Sequence, residues 1–335
     1  MGGALMGGVV KASAGVREAE AAPLEPAVVD WIAVDWGTSN LRAWAMTDAG
    51  EVLGCRASDR GMGRLAASDY PGVLGDLARG WTPRDASRPL PVLVCGMAGA
   101  RQGWCEAPYL PVPTPPLGPG AVSPPDSPEG FRVLILPGLS QTSPRADVMR
   151  GEETQIAGAL ARDPGFEGEI CLPGTHCKWA SVAGGEVTGF QSFLTGELYE
   201  LLATRSVLRH GLAGAGEDAA GFDAAFATAV AEALADPDAV PAALFGIRAE
   251  GLLGGSRPDS GAGRLSGLLI GAELAARGGA DWAGRSLVII GAGRLSELYA
   301  AALAIAGAPE PKRLHATEAT LAGLRAARAR LVDRE

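Results

Sequence analysis

Lysine is scarce in this chain, and its scarcity removes one common type of nucleotide site. Of the 29 basic residues, only Lys11, Lys178 and Lys312 are lysines, and the others are arginines. None of these lysines follows a glycine, so the G-x-x-x-x-G-K-[ST] phosphate loop is absent from the sequence. Any nucleotide site in this protein has to be of another kind.

Zinc-binding and membrane-spanning patterns are missing as well. The five cysteines include no C-x-x-C pair and there are only three histidines, which argues against a structural zinc site. No apolar run is long enough to cross a bilayer, and the net charge of −9 argues against a nucleic-acid binder. We therefore expect a cytoplasmic protein with reduced thiols and neither a nucleic-acid nor a membrane partner.

A strand–turn–strand pattern near the start is the most informative feature that is present. Two apolar runs, 31–36 and 40–47, flank a turn that contains Gly37 and short polar side chains. Backbone amides gathered in such a turn can bind an anion, and Asp35 at the end of the first strand could hold a metal ion above it. The alternative is a hairpin whose polar side chains satisfy only their own turn.

The same pattern returns later in the chain. Residues 169–182 again contain an apolar run, a turn at Gly174 and Thr175 and a second apolar run, and 186–190 predicts a third strand, as 51–56 does in the first case. The length predicts about two domains. Two such hairpins suggest two similarly built halves, each of which presents a phosphate loop to a shared cleft.

The remaining sequence predicts alternating helices and strands. The predicted helices cover 69–79, 147–160, 196–209, 218–235, 240–253, 263–274, a stretch that ends near 306, and 317–332. The predicted strands cover 91–95, 131–136, 286–290 and 313–315. Residues 1–28 lack a period and are expected to form a leader outside the fold. Small residues in 263–274 should let that helix pack closely on a neighbour.

A loop and the start of a helix carry side chains suited to chemistry. The loop after strand 91–95 contains Arg101, Trp104 and Tyr109, which either bind a ligand at the carboxyl edge of a sheet or tuck their aromatic rings into the core. Glu152 and Glu153 open a helix, where they either complement the helix dipole or act as catalytic carboxylates.

A glycine pair near the end of the chain partly matches a dinucleotide fingerprint. Gly291 and Gly293 follow a predicted strand, but Ser296 stands where the third glycine belongs. The incomplete match and its late position favour the adenosine of a mononucleotide over a nicotinamide cofactor.

Six ordered motifs resemble the 2-dehydro-3-deoxygalactonate kinase family. They are DWGTSNLRAW at 35–44, Gly103-Trp104 with Ala107-Pro108-Tyr109, MRGEETQ at 149–155, PGTHCKW at 173–179, LTGEL at 194–198 and SGLLIGAE at 266–273. Ala100 departs from the serine expected in the family's Gly-Met-x-Gly-Ser loop. The leader lies outside the resemblance.

This resemblance implies an α/β fold with two ribonuclease-H-like (actin-like ATPase) domains, 29–165 and 166–335, around a central nucleotide cleft. It implies transfer of the γ-phosphate of ATP, with Mg²⁺, to the 6-hydroxyl of 2-dehydro-3-deoxy-D-galactonate. The sugar acid and ATP would be the partners. A homodimer is one option for the assembly, which the sequence leaves open.

On this hypothesis one group of residues binds the nucleotide. Two loops would hold the triphosphate, one formed by Gly37, Thr38, Ser39 and Asn40 and the other by Gly174, Thr175 and His176. Gly291 and Gly293 would flank adenosine, and Asp35 would hold Mg²⁺ through water. Lys178 is either a phosphate contact or a solvated strand lysine.

A second group would serve the sugar acid. Glu152 or Glu153 would accept the proton of the hydroxyl, and Glu152 is the preferred candidate. An arginine would bind the substrate carboxylate, and the sequence does not rank the candidates Arg42, Arg101 and Arg150. Trp104 and Tyr109 either wall the sugar site or pack in the core.

Other functions stay open at this point. A phosphoanhydride hydrolase of the same fold could use the same glutamates to activate water, and a kinase could prefer the gluconate-derived epimer. A nicotinamide enzyme is disfavoured by the missing third glycine. A nucleotide-driven chaperone or filament would need an added domain or an assembly surface, and no added domain is visible in the sequence.

Overall fold

The computed structural model describes residues 27–255, 257–278 and 281–332. These residues form two compact units. The first unit comprises 27–166, 182–189 and 316–332, and the second comprises 167–181 and the described part of 190–315. The predicted leader lies outside the described residues, except that Ala27 and Val28 already belong to a strand.

Strands and helices alternate through both units. The strands are β1 (Ala27–Val29), β2 (Trp31–Trp36), β3 (Leu41–Met46), β4 (Val52–Ser58), β5 (Trp81–Pro83), β6 (Leu90–Gly96), β7 (Tyr109–Pro111), β8 (Phe131–Ile135), β9 (Gly138–Gln141), β10 (Asp147–Met149), β11 (Gly168–Leu172), β12 (Cys177–Ala183), β13 (Glu186–Phe193), β14 (Leu287–Gly291) and β15 (Lys312–His315). The α-helices are α1 (Tyr70–Leu77), α2 (Glu152–Arg162), α3 (Thr195–Arg205), α4 (Arg209–Leu212), α5 (Ala219–Ala235), α6 (Val240–Leu252), α7 (Pro258–Gly278), α8 (Gly293–Ile305) and α9 (Ala316–Val332). This mixed composition confirms the predicted α/β class.

The first unit is built on a five-stranded sheet with the order β4-β3-β2-β6-β8. Strands β2, β3 and β4 pair antiparallel, while β6 and β8 continue the sheet in parallel to β2. Alternate side chains of β2 enter different cores: Ile32 and Val34 pack on one face, and Trp31 and Ala33 pack on the other. Both faces of the sheet are therefore covered, as a sheet with parallel strands requires.

Helices α2 and α9 cross closely in this unit. A Cβ atom placed on Gly158 of α2 would lie 1.9 Å from the carbonyl oxygen of Ala319, and one on Gly323 of α9 would lie 1.9 Å from the carbonyl oxygen of Thr154. No side chain fits at either position, so the two glycines set the distance between the helices. Leu324 of α9 contributes to the core beneath the sheet.

The second unit repeats the strand order of the first. Its sheet runs β13-β12-β11-β14-β15, with β11, β14 and β15 parallel. In each sheet the earliest strand is central, the next two strands extend one side and the last two extend the other. The paired hairpins of the sequence predict such a repetition.

Helix α7 fills the centre of the second unit's helical layer. Its glycines recur every fourth residue and face α5: a Cβ atom would lie 2.2 Å from Phe222 O at Gly263 and 2.4 Å from Phe226 O at Gly267. The expected close packing of this helix is confirmed. The helix is longer than predicted because its first turns, rich in Gly and Ser, show no apolar period.

The helix predicted over 147–160 differs from the structure. Residues 147–149 form strand β10, which pairs antiparallel with β9, and the helix begins only at Glu152, after Gly151 with φ +107°. Strand β10 has only three residues and is followed closely by the helical pattern of 152–160, which explains the error. No helix among the described residues is long and apolar enough to span a membrane.

Candidate active site

The carboxyl edge of the first unit's sheet brings Asp35 and Cys95 together. Strands β2 and β6 are parallel, with Asp35 opposite Cys95 and Trp36 opposite Gly96. The Cys95 Sγ lies 4.0 Å from Asp35 Oδ1. Gly96 has φ +89°, and a Cβ atom there would lie 2.7 Å from Trp36 O, so only glycine lets the chain turn at this point. Such an edge is where ligands bind in sheets of this type.

The start of α2 places two glutamates at the same edge. A Cβ atom on Gly151 would lie 3.3 Å from Gly96 Cα, so the helix begins against the turn that follows β6. Glu152 Oε2 accepts a hydrogen bond from Arg150 N at 3.0 Å, and Glu153 Oε2 accepts one from Gly151 N at 2.7 Å. Glu152 is half-buried and Glu153 is fully buried.

Burial and like charge shift the protonation of these carboxyl groups. Burial raises the pKa of Glu153 to about 8, and the neighbouring Glu152 reinforces this shift. Burial also raises the pKa of Asp35, with Arg42 opposing and Glu152 adding to the shift. The pKa of the Cys95 thiol is well above its ordinary value, because it is buried near Asp35 and Glu153. At neutral pH Glu153 and Cys95 are therefore mostly protonated.

Backbone hydrogen bonds from residues 62 and 63 hold the turn at 37–40 in place. The nitrogens of Met62 and Gly63 donate to the carbonyl oxygens of Gly37 and Thr38, at 3.0 and 2.9 Å. Gly37 N donates to Asn40 O at 2.8 Å and closes the turn. The exposed side chains of the turn are those of Thr38, Ser39 and Asn40.

The three candidate arginines lie in different environments. Arg42 is exposed and donates to Thr317 Oγ1 at 3.2 Å, and Arg101 is exposed and pairs with Glu106 at 3.2 Å. Arg150 is buried and donates to Ala107 O at 2.7 Å, while its Nη1 has no hydrogen-bond partner among the described residues.

The two candidate aromatic residues differ in the same way. Trp104 is buried, its ring lies 5.7 Å from that of Tyr70, and its Nε1 donates to Asp126 at 2.8 Å. This environment favours the packing interpretation of Trp104. Tyr109 is exposed, and the Arg150 guanidinium lies 4.1 Å above its ring.

In the second unit the loop at 174–176 is held by the start of α3. Glu197 N donates to Thr175 O at 3.0 Å, and the Glu197 carboxylate lies 2.6 Å from His176 Nε2. A Cβ atom on Gly196 would lie 2.4 Å from Gly174 O, so the helix backbone touches the loop directly. His176 is thus a hydrogen-bonding loop residue.

Lys178 follows this loop and is buried, with its Nζ 3.4 Å from His176 O. Its burial shows that the interpretation as a solvated strand lysine is wrong. A role as a phosphate contact stays a prediction.

A pocket of about 300 Å³ adjoins this loop. Gly174 and Thr175 line it on one side and Gly293 on another, and its apolar lining includes Phe222 and Leu269. A pocket of this size and apolar character suits a small planar ligand.

Gly291 is not among the residues that line this pocket. A Cβ atom on Gly291 would lie 2.3 Å from Ser296 Oγ, so the serine that replaces the third fingerprint glycine fills the space that Gly291 leaves. Ser296 is therefore compatible with the turn, although it breaks the dinucleotide pattern.

Sequence reasoning missed a buried glutamate, Glu273 of α7. Its carboxylate accepts hydrogen bonds from Trp179 Nε1 at 2.7 Å, from Tyr299 Oη at 2.8 Å and from Thr195 Oγ1. The signal in the sequence is a single carboxylate within a run of small and apolar residues. Two neighbours of the candidate carboxylates were missed as well: Cys95, whose thiol lies beside Asp35, and Thr154, whose hydroxyl donates to Glu153.

Metal binding by protein side chains alone is not apparent. Across residues 27–255, 257–278 and 281–332, no group of three or more His, Cys, Asp or Glu side chains is placed to hold a metal ion. Mg²⁺ commonly uses one or two carboxylates, water and substrate phosphates, so Asp35 beside Glu152 suits that mode of binding.

The sequence and the fold match known proteins over almost the whole chain. The family model described as 2-keto-3-deoxy-galactonokinase matches residues 35–327. A Rhizobium meliloti protein provisionally named 2-dehydro-3-deoxygalactonokinase is 40% identical over 301 residues, which cover 89% of this chain and 96% of the relative. The Escherichia coli 2-dehydro-3-deoxygalactonokinase is 37% identical over 252 residues, 73% of this chain and 79% of that protein.

A solved structure agrees with these matches. A crystal structure provisionally assigned to a 2-dehydro-3-deoxygalactonokinase from Sinorhizobium meliloti superposes with a TM-score of 0.81 at 39% identity, and covers 90% of this chain and 96% of that chain. The protein is thus a mixed α/β protein of the same fold. It belongs to the 2-keto-3-deoxy-galactonokinase family, which confirms the resemblance seen in the sequence.

Proposed function

We propose that this protein is an ATP-dependent kinase that phosphorylates the 6-hydroxyl of 2-dehydro-3-deoxy-D-galactonate to give the 6-phosphate. The observation that carries the proposal is the match to the Rhizobium meliloti relative, which spans 96% of that protein at 40% identity. In this proposal the carboxylates at the sheet edge of the first unit would serve the phosphoryl transfer and the pocket of the second unit would bind the nucleotide.

The proposal includes two ribonuclease-H-like domains around a nucleotide cleft, near 29–165 and 166–335, except that helix α9 (Ala316–Val332) groups with the first unit. The repeated strand order of the two sheets supports it. The reaction would take place in the cytoplasm, where ATP is available and thiols stay reduced. The assembly state stays a prediction.

In this proposal the nucleotide is bound by the loops of both hairpins. Gly37, Thr38, Ser39 and Asn40 on one side, and Gly174, Thr175, His176 and Lys178 on the other, would hold the phosphates. Adenosine would occupy the 300 Å³ pocket beside Gly293, and Gly291 is outside the lining of this pocket. Asp35 would hold Mg²⁺, which supplies neutralisation of the phosphate charge when it is bound.

The substrate hydroxyl needs a group that accepts its proton late in the transfer. Glu152 is the better candidate, because it is half-buried, whereas Glu153 is fully buried and mostly protonated at pH 7. Glu153 would then act through its bond to Gly151 N, which fixes the start of α2.

Arg150 is the candidate that best suits the substrate carboxylate. It directly precedes the Gly-Glu-Glu turn, and its Nη1 lacks a partner within the described part of the chain. An unpaired buried donor costs free energy, which an acceptor oxygen of a ligand would recover. Arg42 and Arg101 already bond Thr317 and Glu106.

The test is the consumption of Mg-ATP with a panel of 2-keto-3-deoxy sugar acids that includes the galactonate-derived and gluconate-derived epimers. The expected result is ADP release that depends on the sugar acid and is fastest with the galactonate-derived epimer, with phosphate found on the 6-hydroxyl. ATP cleavage at the same rate without any sugar acid would support the hydrolase instead. A preference for the gluconate-derived epimer would change the proposed substrate but leave the proposed phosphoryl transfer in place.

A further inference from the structure

The buried carboxylate of Glu273 joins three separate elements of the second unit. Trp179 lies on β12, Thr195 begins α3 and Tyr299 lies on α8, and all three donate hydrogen bonds to this one side chain. Glu273 is 3% exposed. A buried carboxylate is costly unless it is well hydrogen-bonded, so this network fixes the positions of its donors.

The donors reach the loop at 174–176 from two sides. β12 begins at Cys177, directly after the loop, and Trp179 anchors that strand to Glu273. On the other side, Thr195 precedes the backbone that touches the loop, where Glu197 N donates to Thr175 O at 3.0 Å. The loop is therefore clamped between two segments that share one acceptor.

The same network reaches the pocket wall. Thr195 and Tyr299 both line the 300 Å³ pocket, whereas Glu273 does not. A shift of the carboxylate would move two wall residues and the adjoining loop together.

We propose that Glu273 is a positioning residue for nucleotide binding, because it fixes the loop at 174–176 and the pocket residues Thr195 and Tyr299 through hydrogen bonds. This inference rests on the proposed function only in taking the nucleotide as the ligand of this pocket. Glu273 acts through its donors and does not touch the ligand.

The experiment compares Glu273→Gln, Thr195→Val, their double variant and Asp259→Asn. Glutamine keeps the volume and one acceptor, but its amide nitrogen cannot accept from the two hydroxyl groups. Asp259 is a matched control: it is a buried carboxylate of the same helix that accepts from Gly216 N at 2.6 Å and does not line the pocket. Calorimetry measures the Kd for a non-hydrolysable ATP analogue with Mg²⁺, and steady-state kinetics measures both KM values.

We expect Glu273→Gln and Thr195→Val each to raise the Kd for the analogue about tenfold. In the double variant the Kd should rise by less than the product of the two single effects, because both substitutions remove the same contact. The KM for ATP should rise while the KM for the sugar acid stays constant. A merely structural role would lower the folded fraction and kcat without changing either KM. Asp259→Asn should leave the Kd unchanged.

An unchanged Kd in both single variants, or an equal rise in Asp259→Asn, would overturn the inference. If Glu273→Gln does not fold, Thr195→Val and Tyr299→Phe decide the question by the same measurement. A wild type that binds the analogue but phosphorylates no sugar acid would refute the proposed function alone, since the Kd values still test Glu273. A wild type that binds no nucleotide would refute both.

Discussion

Asp35 and Cys95 face each other across two parallel strands, with Cys95 Sγ 4.0 Å from Asp35 Oδ1 at the edge where both strands end. The buried thiol has a pKa well above its ordinary value and stays protonated, so its S–H group is able to donate to the carboxylate. Asp35 thus has a neutral neighbour on this side, while burial raises its own pKa as well. Its like-charged neighbour is Glu152, and the two lie where a cation would be stabilised.

Replacing Glu152 by glutamine should lower kcat about 10²–10⁴-fold, because an amide cannot accept the proton of the substrate hydroxyl. The Kd for Mg-ATP should change little. Rapid-quench measurement of phosphoryl transfer checks the first point and calorimetry the second. Glu129→Gln, at an exposed loop position, is the control and should retain full activity. Undiminished transfer in Glu152→Gln would remove this residue as the base.

Glu153→Gln should change how stability depends on pH. An unfolded glutamate titrates near 4.5 and folded Glu153 at about 8, so between these values the folded protein retains a proton that the unfolded chain releases. The free energy of unfolding therefore falls as pH rises through this window, by at most about 1.4 kcal/mol per pH unit. Glutamine does not titrate, so the variant should lose this part of the slope.

Urea unfolding of the wild type and Glu153→Gln at pH 5, 6.5 and 8 measures this difference. Relative to the wild type, the free energy of unfolding of the variant should be highest at pH 8. Parallel stability curves for the two proteins would contradict a raised pKa at this position.

Arg150→Lys should raise the KM for the sugar acid about tenfold or more and leave the KM for ATP nearly unchanged. A lysine cannot donate to Ala107 O, stack over Tyr109 and bind a carboxylate with a planar fork at once. Arg101→Lys is the matched control, since that exposed side chain pairs with Glu106. If Arg101→Lys raises the KM for the sugar acid and Arg150→Lys does not, Arg101 and not Arg150 binds the substrate carboxylate.

Gly158→Ala should destabilise the protein by about 1–3 kcal/mol or more, because its methyl group would collide with Ala319 O. Gly75→Ala in α1 has open space around the new methyl group and should stabilise by about 0.5–1 kcal/mol. Chemical denaturation of both variants checks the pair. Equal effects at the two sites would show that the α2–α9 crossing is looser than described.

The positions of those candidate site residues that depend on local pattern could be predicted from the sequence. Asp35 ends an apolar strand and Glu152 begins a helix after a glycine, and these signals lie within a few residues of each. The repeated hairpin likewise predicts the repeated sheet, since each half carries its own strand periodicity.

The rest depends on pairings that no local window contains. Glu273 receives its donors from Trp179, Thr195 and Tyr299, which lie on three different elements. β10 is a local exception: it has only three residues and lies directly before the helical pattern of α2, so that pattern was extended over it. Lys178 was ambiguous because burial of a strand residue is decided by the layer packed against it.

Helix α9 belongs to the first unit but follows the whole of the second unit in the sequence. Leu324 and Ala327 of α9 share a core with Trp31 and Ala33 of β2, and α9 crosses α2 at its two glycines. A ribosome delivers all of the second unit before it delivers α9. During synthesis one face of the first sheet therefore lacks part of its core until residues 316–332 emerge, whereas all strands and helices of the second unit have by then been made.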